Sequence, residues 1–348
     1  MAKILVTGGT GYIGSHTVAE LQKAGYEVVI VDNLSNSNIQ VLDRIEKITG
    51  IRPVFENIDC ADYLAMDKFF EKCNKDKQNN IKAIIHFAAS KAVGESVEKP
   101  LLYYRNNLGS LMNLLELMLI NNVRNIVFSS SCTVYGQPDI LPVTEATPVK
   151  QPLSPYGNTK KIGEEIIKDT IYANNNYKGI ILRYFNPIGA HPSSEIGELP
   201  NGIPNNLLPF VAQTAVGLRK QLQVYGDDYT TPDGSCIRDY INVVDLARAH
   251  VLAVKRILEG KCTSNVEIFN LGTGRGLSVL EIIKTFEQVT GVKVPYEIVG
   301  RREGDIEQVW ADPSYANEVL GWTATETVED TLLSAWNWEL KLKSIQNR

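Results

Sequence analysis

The chain has 348 residues, 44% of them hydrophobic, and a formal net charge of −5. That length suits one large or two medium domains, and no run approaches the ~18 unbroken apolar residues of a membrane span. Its basic residues are scattered rather than gathered on one stretch, which disfavours a nucleic-acid partner.

Met1-Ala2-Lys3 leads straight into Ile4-Leu5-Val6, so no signal peptide is expected. Lys3 to Thr7 reads as a buried strand, short, apolar and ended by glycines. A helix is expected from Tyr12 to Ala24, with Gly25 as its stop. Val28–Val31 is the second strand, and further strands are expected at Pro53–Phe55, Ala83–Ile85, Ile126–Phe128 and Ile180–Leu182. Helical patterns lie between most of them, notably Leu101–Asn121 and Pro155–Ala173. The alternation predicts an α/β fold of the Rossmann type, a doubly wound parallel sheet with helices on both faces. Lys72 to Asn80 reads as a polar loop. After Phe185 the pattern loosens. His191–Pro209 and Asp227–Gly234 are turn-rich and read as loops of a smaller C-terminal α/β substrate unit. The Val243–Leu258 helix and Glu267–Asn270 strand are expected to return to the first sheet. The expected division is therefore 1–186 with 237–270, and 187–236 with 271–348.

The five cysteines, Cys60, Cys73, Cys132, Cys236 and Cys262, are odd in number and widely spaced. They argue against a disulfide framework or zinc site and for a cytoplasmic setting. The four histidines carry no metal spacing, and no metal is expected.

Gly8-Gly9-Thr10-Gly11-Tyr12-Ile13-Gly14 follows a strand and opens a helix. Glycines there permit a tight turn and close backbone approach to a pyrophosphate, and the helix N-terminus offers free N–H groups to the phosphates. Asp32 ends the second strand, where an acidic residue about 20 positions on bonds ribose hydroxyls. Asp32 would repel a 2′-phosphate, and no Arg or Lys follows until Arg44, so NAD is favoured over NADP.

Ser154-Pro155-Tyr156-Gly157-Asn158-Thr159-Lys160 carries the expected chemistry. Ser154 can cap a helix with Pro155 in its first position. Tyr156 and Lys160 then share one face, and a nearby ammonium is expected to lower the tyrosine pKa from ~10. Alone, Tyr-x-x-x-Lys is a common coincidence. Ser129-Ser130-Ser131, at the end of the Ile126–Phe128 strand, gives it context, because strand ends are where such sheets bind ligands.

With Gly11–Thr17, Lys91–Val97, Leu182–Pro187, Gly202–Leu207 and Arg301–Asp305, these motifs resemble the extended short-chain dehydrogenase/reductases, most closely their UDP-hexose 4-epimerases. The likeness covers nearly the whole chain. It implies reversible C4 inversion through a 4-keto sugar with NAD held throughout, and a homodimer built on the Leu101–Asn121 and Pro155–Ala173 helices. Tyr156 would be the acid/base, Lys160 its electrostatic partner and a ribose ligand, and Ser131 a second bond to the sugar 4-oxygen. The cofactor would also meet Gly8, Gly11, Tyr12, Ile13 and Gly14. Asp32, Asn33 and Asn36 would lie by its adenosine ribose, and Asp59 and Cys60 by the adenine. Phe87, Ala88, Ala89, Lys91, Asn106, Ser129 and Tyr184 would line the rest of the cofactor cleft. Asn186, Asn206 and Leu207 would hold the sugar and diphosphate, and Lys91, Phe185, Gln223, Tyr225, Tyr240 and Val279 would be further substrate-binding residues. Arg238 and Arg302 would clamp the diphosphate, chemistry for which guanidinium forks are suited, and Asp305 would bond the uridine ribose.

One departure concerns the sugar. Val309 stands before Trp310 where such proteins often carry tyrosine, so UDP-N-acetylhexosamines are expected to fit as well. The nearest alternative is a sugar-nucleotide 4,6-dehydratase, which usually places Asp-Glu beside the strand-end hydroxyl. Here Ser131 is followed by Cys132-Thr133-Val134. A non-catalytic NAD-binding sensor is the alternative from another class, but such proteins tend to lose the Tyr/Lys pair.

Overall fold

The computed structural model describes residues 2–74, 80–302 and 304–346. Met1, the centre of the polar loop expected from Lys72 to Asn80, and Glu303 of the Arg301–Asp305 motif lie outside the described residues.

The first part of the chain alternates strand and helix: β1 (Lys3–Thr7), α1 (Tyr12–Lys23), β2 (Glu27–Asp32), α2 (Val41–Thr49), β3 (Val54–Asn57), α3 (Tyr63–Asn74) and β4 (Ile81–His86). Next come α4 (Val93–Glu98), α5 (Pro100–Tyr103) and α6 (Gly109–Ile120), the last two joined by a π-helical stretch, Tyr104–Leu108. They are followed by β5 (Asn125–Ser131), α7 (Pro155–Ala173) and β6 (Lys178–Tyr184). The remainder holds β7 (Asn186–Ile188), α8 (Leu207–Ala215), β8 (Leu222–Tyr225), β9 (Ile237–Asn242), α9 (Val243–Leu258) and β10 (Val266–Leu271). It ends with β11 (Gly276–Ser278), α10 (Val279–Thr290), β12 (Tyr296–Val299), β13 (Gln308–Val309) and α11 (Val328–Gln346).

Seven strands form one parallel sheet in the order β10-β6-β5-β4-β1-β2-β3. Both faces are covered, so its central strands carry continuous apolar runs, such as Ile4–Val6, Val28–Val31 and Ile180–Leu182, rather than alternating. On one face Ile4, Val6, Ile30 and Leu182 pack with Val18, Leu21, Leu246 and Ala253 of α1 and α9. On the other, Leu5, Ile84, Phe128 and Ile181 meet Phe70, Leu114 and Ile167 of α3, α6 and α7. Burial of each such side chain is worth about 1.5–3 kcal/mol.

The strand expected around Ile126–Phe128 ends in the three serines as read, with Ser129–Ser131 paired to Leu182–Tyr184 of β6. Two expectations need correction. The single helix expected over Leu101–Asn121 is interrupted at Tyr104–Leu108, where the π stretch lets Asn107 bond Ser90 and Thr159; such bulges often occur at functional sites. Residues 237–270 do not return to the large sheet as a block. Ile237–Asn242 joins β7, β11 and β13 in a separate four-stranded sheet, and the return begins with α9. Among the described residues, no helix is long and apolar enough to cross a membrane.

Candidate active site

The turn between β1 and α1 is closed by its glycines. Gly8 adopts φ +70°, and a Cβ there would lie 2.7 Å from the Ala88 nitrogen. A Cβ on Gly14 would lie 2.2 Å from the Gly8 carbonyl oxygen. Gly11 caps α1 without a side-chain acceptor for its first N–H groups, which leaves Tyr12, Ile13 and Gly14 at an open, positively polarised helix end. Asp32 closes the turn from β2, accepting from the Thr10 and Leu34 amides at 3.1 and 2.9 Å and the Ser37 hydroxyl at 3.2 Å. A carboxylate offers about four lone-pair sites, so capacity for a ribose remains. The glycine cradle and the acidic residue beside it fit a dinucleotide without a 2′-phosphate.

Around this turn, Asn33 donates to Asp59 at 3.1 Å, while Asn36 is exposed on the same loop. Cys60 is buried, and burial pushes its thiol up to about 12. The Phe87 ring lies 4.8 Å from that of His250, tilted by 50°. Ala88 donates its amide to Thr7 at 3.4 Å, and Ala89 is half-buried beside it. Asn106 donates to Ser90 at 3.2 Å. Lys91 pairs with Glu198 at 3.2 Å and lies 5.8 Å from the Tyr12 ring centre.

Helix α7 begins as expected. Ser154 accepts from the Gly157 amide at 3.2 Å, and Pro155 takes the first turn. Lys160 is buried and donates to the Ser129 carbonyl at 2.7 Å and its hydroxyl at 3.2 Å. Its nitrogen is 5.9 Å from the Tyr156 ring centre. The expected lowering of the tyrosine by the lysine is not what the isolated chain displays. Burial dominates and pushes Tyr156 up to about 12, the neighbouring Cys132 thiol adds to this, and a hydrogen bond with Ser131 opposes it. Burial likewise pushes Lys160 down to about 7. The lysine head is turned to Ser129 rather than to the phenol, which explains why its charge does not offset the burial. Tyr184 is buried, with its hydroxyl 2.5 Å from His250 Nε2.

The polypeptide passes from β6 through Phe185 into β7, linking the two sheets. Phe185, Cys132 and Val309 pack in one buried cluster. Asn186 stands opposite Tyr240 in the register of β7 and β9, and Arg238 opposite Val309 in that of β9 and β13. Arg238 donates to the carbonyls of Ile237 at 2.8 Å and Glu307 at 3.4 Å. Arg302 forks Asp305 at 2.6 and 3.2 Å and lies 5.4 Å from the Tyr225 ring centre. These two were expected on different parts of the substrate, and they hold each other. The Tyr225 hydroxyl donates to Gln223 at 3.1 Å. Asn206 donates to Glu198 at 2.6 Å, and Leu207 opens α8 half-buried beside it. Val279 opens α10, half-buried behind the Ser278 capping box.

The structure thus gathers Tyr156, Lys160, Ser129 and Ser131 at one strand end and Arg238 and Val309 on the adjoining small sheet. Glu198 is a residue that sequence reasoning missed; it ties Lys91 to Asn206, and nothing local in its loop signals this. Glu164 was also missed, although it continues the Tyr156–Lys160 stripe by one turn. Among the described residues no group of three or more side chains could hold a metal ion.

A family model described as GDP-mannose 4,6 dehydratase matches residues 5–334. The chain is 51% identical over 336 residues to a UDP-glucose 4-epimerase of Bacillus subtilis, covering 97% of this chain and 96% of that one. Among solved structures, UDP-glucose 4-epimerase from Bifidobacterium longum in complex with NAD+ and UDP aligns with a TM-score of 0.92 at 48% identity, covering 98% of each chain. The UDP-Glc/GlcNAc 4-epimerase from Campylobacter jejuni aligns with a TM-score of 0.82 at 36% identity, covering 98% of this chain and 100% of that one.

Proposed function

The chain belongs to the family that the dehydratase model describes and, within it, to the UDP-glucose 4-epimerases, and from this we infer how its residues work. It is an NAD-dependent isomerase that interconverts UDP-glucose and UDP-galactose by inverting C4, a reaction of galactose metabolism. The observation that carries the residue assignment is the meeting of α7 with the end of β5, where Lys160 bonds Ser129 and Tyr156 lies beside Ser131.

Tyr156 exchanges the proton of the sugar 4-hydroxyl, with Ser131 bonding the same oxygen. Lys160, held by Ser129, would bond the cofactor ribose and bring its charge to the phenol's side of the site once the cofactor is bound. NAD, when bound, supplies the redox chemistry at C4; Gly8, Gly11 and Gly14 with Asp32 would hold it, and Phe87, Ala88 and Asn106 flank it. Arg238 and Arg302 face the diphosphate charge, and Asn186 and Asn206 orient the sugar end. The acid/base pair that eliminating water would need is absent beside Ser131, since Cys132 and Thr133 follow it. That favours epimerisation over dehydration. The test is chromatography of UDP-galactose incubated with the purified chain and NAD. A mixture with UDP-glucose is expected, and a 4-keto-6-deoxy sugar in its place would contradict the assignment.

A second reading concerns the sugar. Val309 is 1% exposed and ends inside the cluster of Cys132 and Phe185, so it takes no space beside Ser131, and UDP-N-acetylhexosamines are accommodated too. The chain also forms a homodimer, a reading supported by exposed apolar side chains on α4 to α6, among them Val97, Leu101 and Met112.

A further inference from the structure

The chemistry assigned above needs Tyr156 and Lys160 to face Ser131 and Ser129, and one helix carries both. The next residue on the same stripe of α7 is Glu164, four positions beyond Lys160. Its side chain is buried, and two neighbouring strands hold it. The Ser130 hydroxyl donates to Glu164 Oε1 at 2.5 Å. Arg183 forks the carboxylate, Nε to Oε1 at 2.9 Å and Nη2 to Oε2 at 2.7 Å. Ser130 and Arg183 are register partners across β5 and β6, so the carboxylate is anchored to both strands at once. Arg183 also donates from Nη1 to the Tyr135 hydroxyl at 2.8 Å, and that hydroxyl donates to Asn270 of β10 at 2.7 Å. The clamp therefore reaches three adjacent strands of the sheet.

A buried ion pair is a weak argument for stability, because apolar residues of similar volume often serve as well or better. What it adds is direction. Thr159 and Lys160 are bonded near the start of α7, to Asn107 and Ser129, but beyond them the other buried residues of the helix are apolar: Gly163 lies against Phe128 and Leu111, and Ile167 and Ile171 are buried in the core. Apolar contacts are non-directional, whereas a two-pronged guanidinium–carboxylate pair fixes an angle. At a helix outer radius of about 6 Å, a rotation of about 10° moves a side-chain tip by about 1 Å. A displacement of about 1 Å is enough to cost about 100-fold in rate.

We propose that Glu164, clamped by Ser130 and Arg183, is a positioning residue that sets the rotation of α7 and so aligns Tyr156 and Lys160 with Ser131 and Ser129. The inference rests on the epimerase assignment. The three consecutive serines then have separate tasks: Ser129 seats the lysine, Ser130 anchors the helix, and Ser131 meets the tyrosine.

Two variants test this. Arg183→Lys keeps a buried cation but loses the fork. The double variant Glu164→Leu/Arg183→Leu removes the pair without leaving either charge unpaired. For each, kcat and KM for UDP-galactose, the pH profile of kcat and the folded fraction by circular dichroism are measured beside wild type and Tyr156→Phe. The expected result is a fall in kcat of about 10- to 100-fold, with KM changed less than about twofold, as for an interaction that acts on the transition state. The pH profile is expected to shift as the surroundings of Tyr156 change. A folded variant with wild-type kcat and an unaltered pH profile would overturn the proposal, as would a loss that only tracks the folded fraction. Should the double variant not fold, Arg183→Lys decides by the same criteria. If wild type itself fails to interconvert UDP-galactose and UDP-glucose, the epimerase assignment falls, and that outcome is distinct from an active wild type matched by its variants.

Discussion

Burial acts on Tyr156 and Lys160 in opposite directions, pushing the phenol up to about 12 and the ammonium down to about 7. By itself the chain therefore keeps the tyrosine protonated near neutrality, and its activation depends on what binds beside it. The Val309 side chain is enclosed with Cys132, the residue after Ser131, and Phe185, so a tyrosine ring there must displace part of that cluster. Val309→Tyr is expected to lower kcat/KM for UDP-N-acetylglucosamine at least about tenfold relative to UDP-galactose; an unchanged ratio would refute the sugar reading. The Tyr156–Lys160 spacing and Asp32 were legible in the sequence because helix and strand periodicity fix them locally. The Arg302–Asp305 fork, the Glu198 tie between Lys91 and Asn206, and the Glu164 clamp were not, because each is decided by side-chain geometry or by residues distant in the chain.

The turn from β1 into α1 tolerates little change. A methyl on Gly14 would meet the Gly8 carbonyl oxygen at 2.2 Å, so Gly14→Ala must open the turn and carry the N-terminus of α1 out of place. The expected outcome is at least about a tenfold loss of NAD affinity by calorimetry, a scale set by the close backbone approach that the motif provides. Undiminished affinity would show that the turn does not hold the pyrophosphate. Most strands of the large sheet could be read in advance because they are short apolar runs buried on both faces. Those of the small sheet could not. Ile237-Arg238-Asp239-Tyr240-Ile241-Asn242 has no clean alternation, and its strand character comes from pairing with β7, β11 and β13. The π stretch was equally hidden, since the hydrophobic period of Leu101–Asn121 runs on through it.

At the scale of the molecule, two consequences can be measured. Val97, Leu101 and Met112 are 61%, 65% and 51% exposed, an apolar surface suited to an isologous contact between two copies. Light scattering is expected to give a dimer for wild type and a monomer for Leu101→Glu, and a monomeric wild type would contradict the homodimer. The four histidines, His16, His86, His191 and His250, are all held neutral by burial, the first two down to about 3 and the others to about 4. Unfolded histidines bind protons below about 6.5. The unfolded chain thus takes up more protons than the folded one from about pH 6.5 down to about pH 3, and stability falls as pH falls through that window. Calorimetry is expected to show the thermal midpoint dropping from pH 7 to pH 5; a flat midpoint would mean that these rings are charged in the folded protein.

The central claim is that Tyr156 moves the proton at C4. Its most direct test is the steady-state turnover of UDP-galactose by Tyr156→Phe with saturating NAD, beside wild type. Loss of a positioned acid/base predicts a fall in kcat of about 100- to 10,000-fold with KM little changed. Turnover at the wild-type rate would contradict the account.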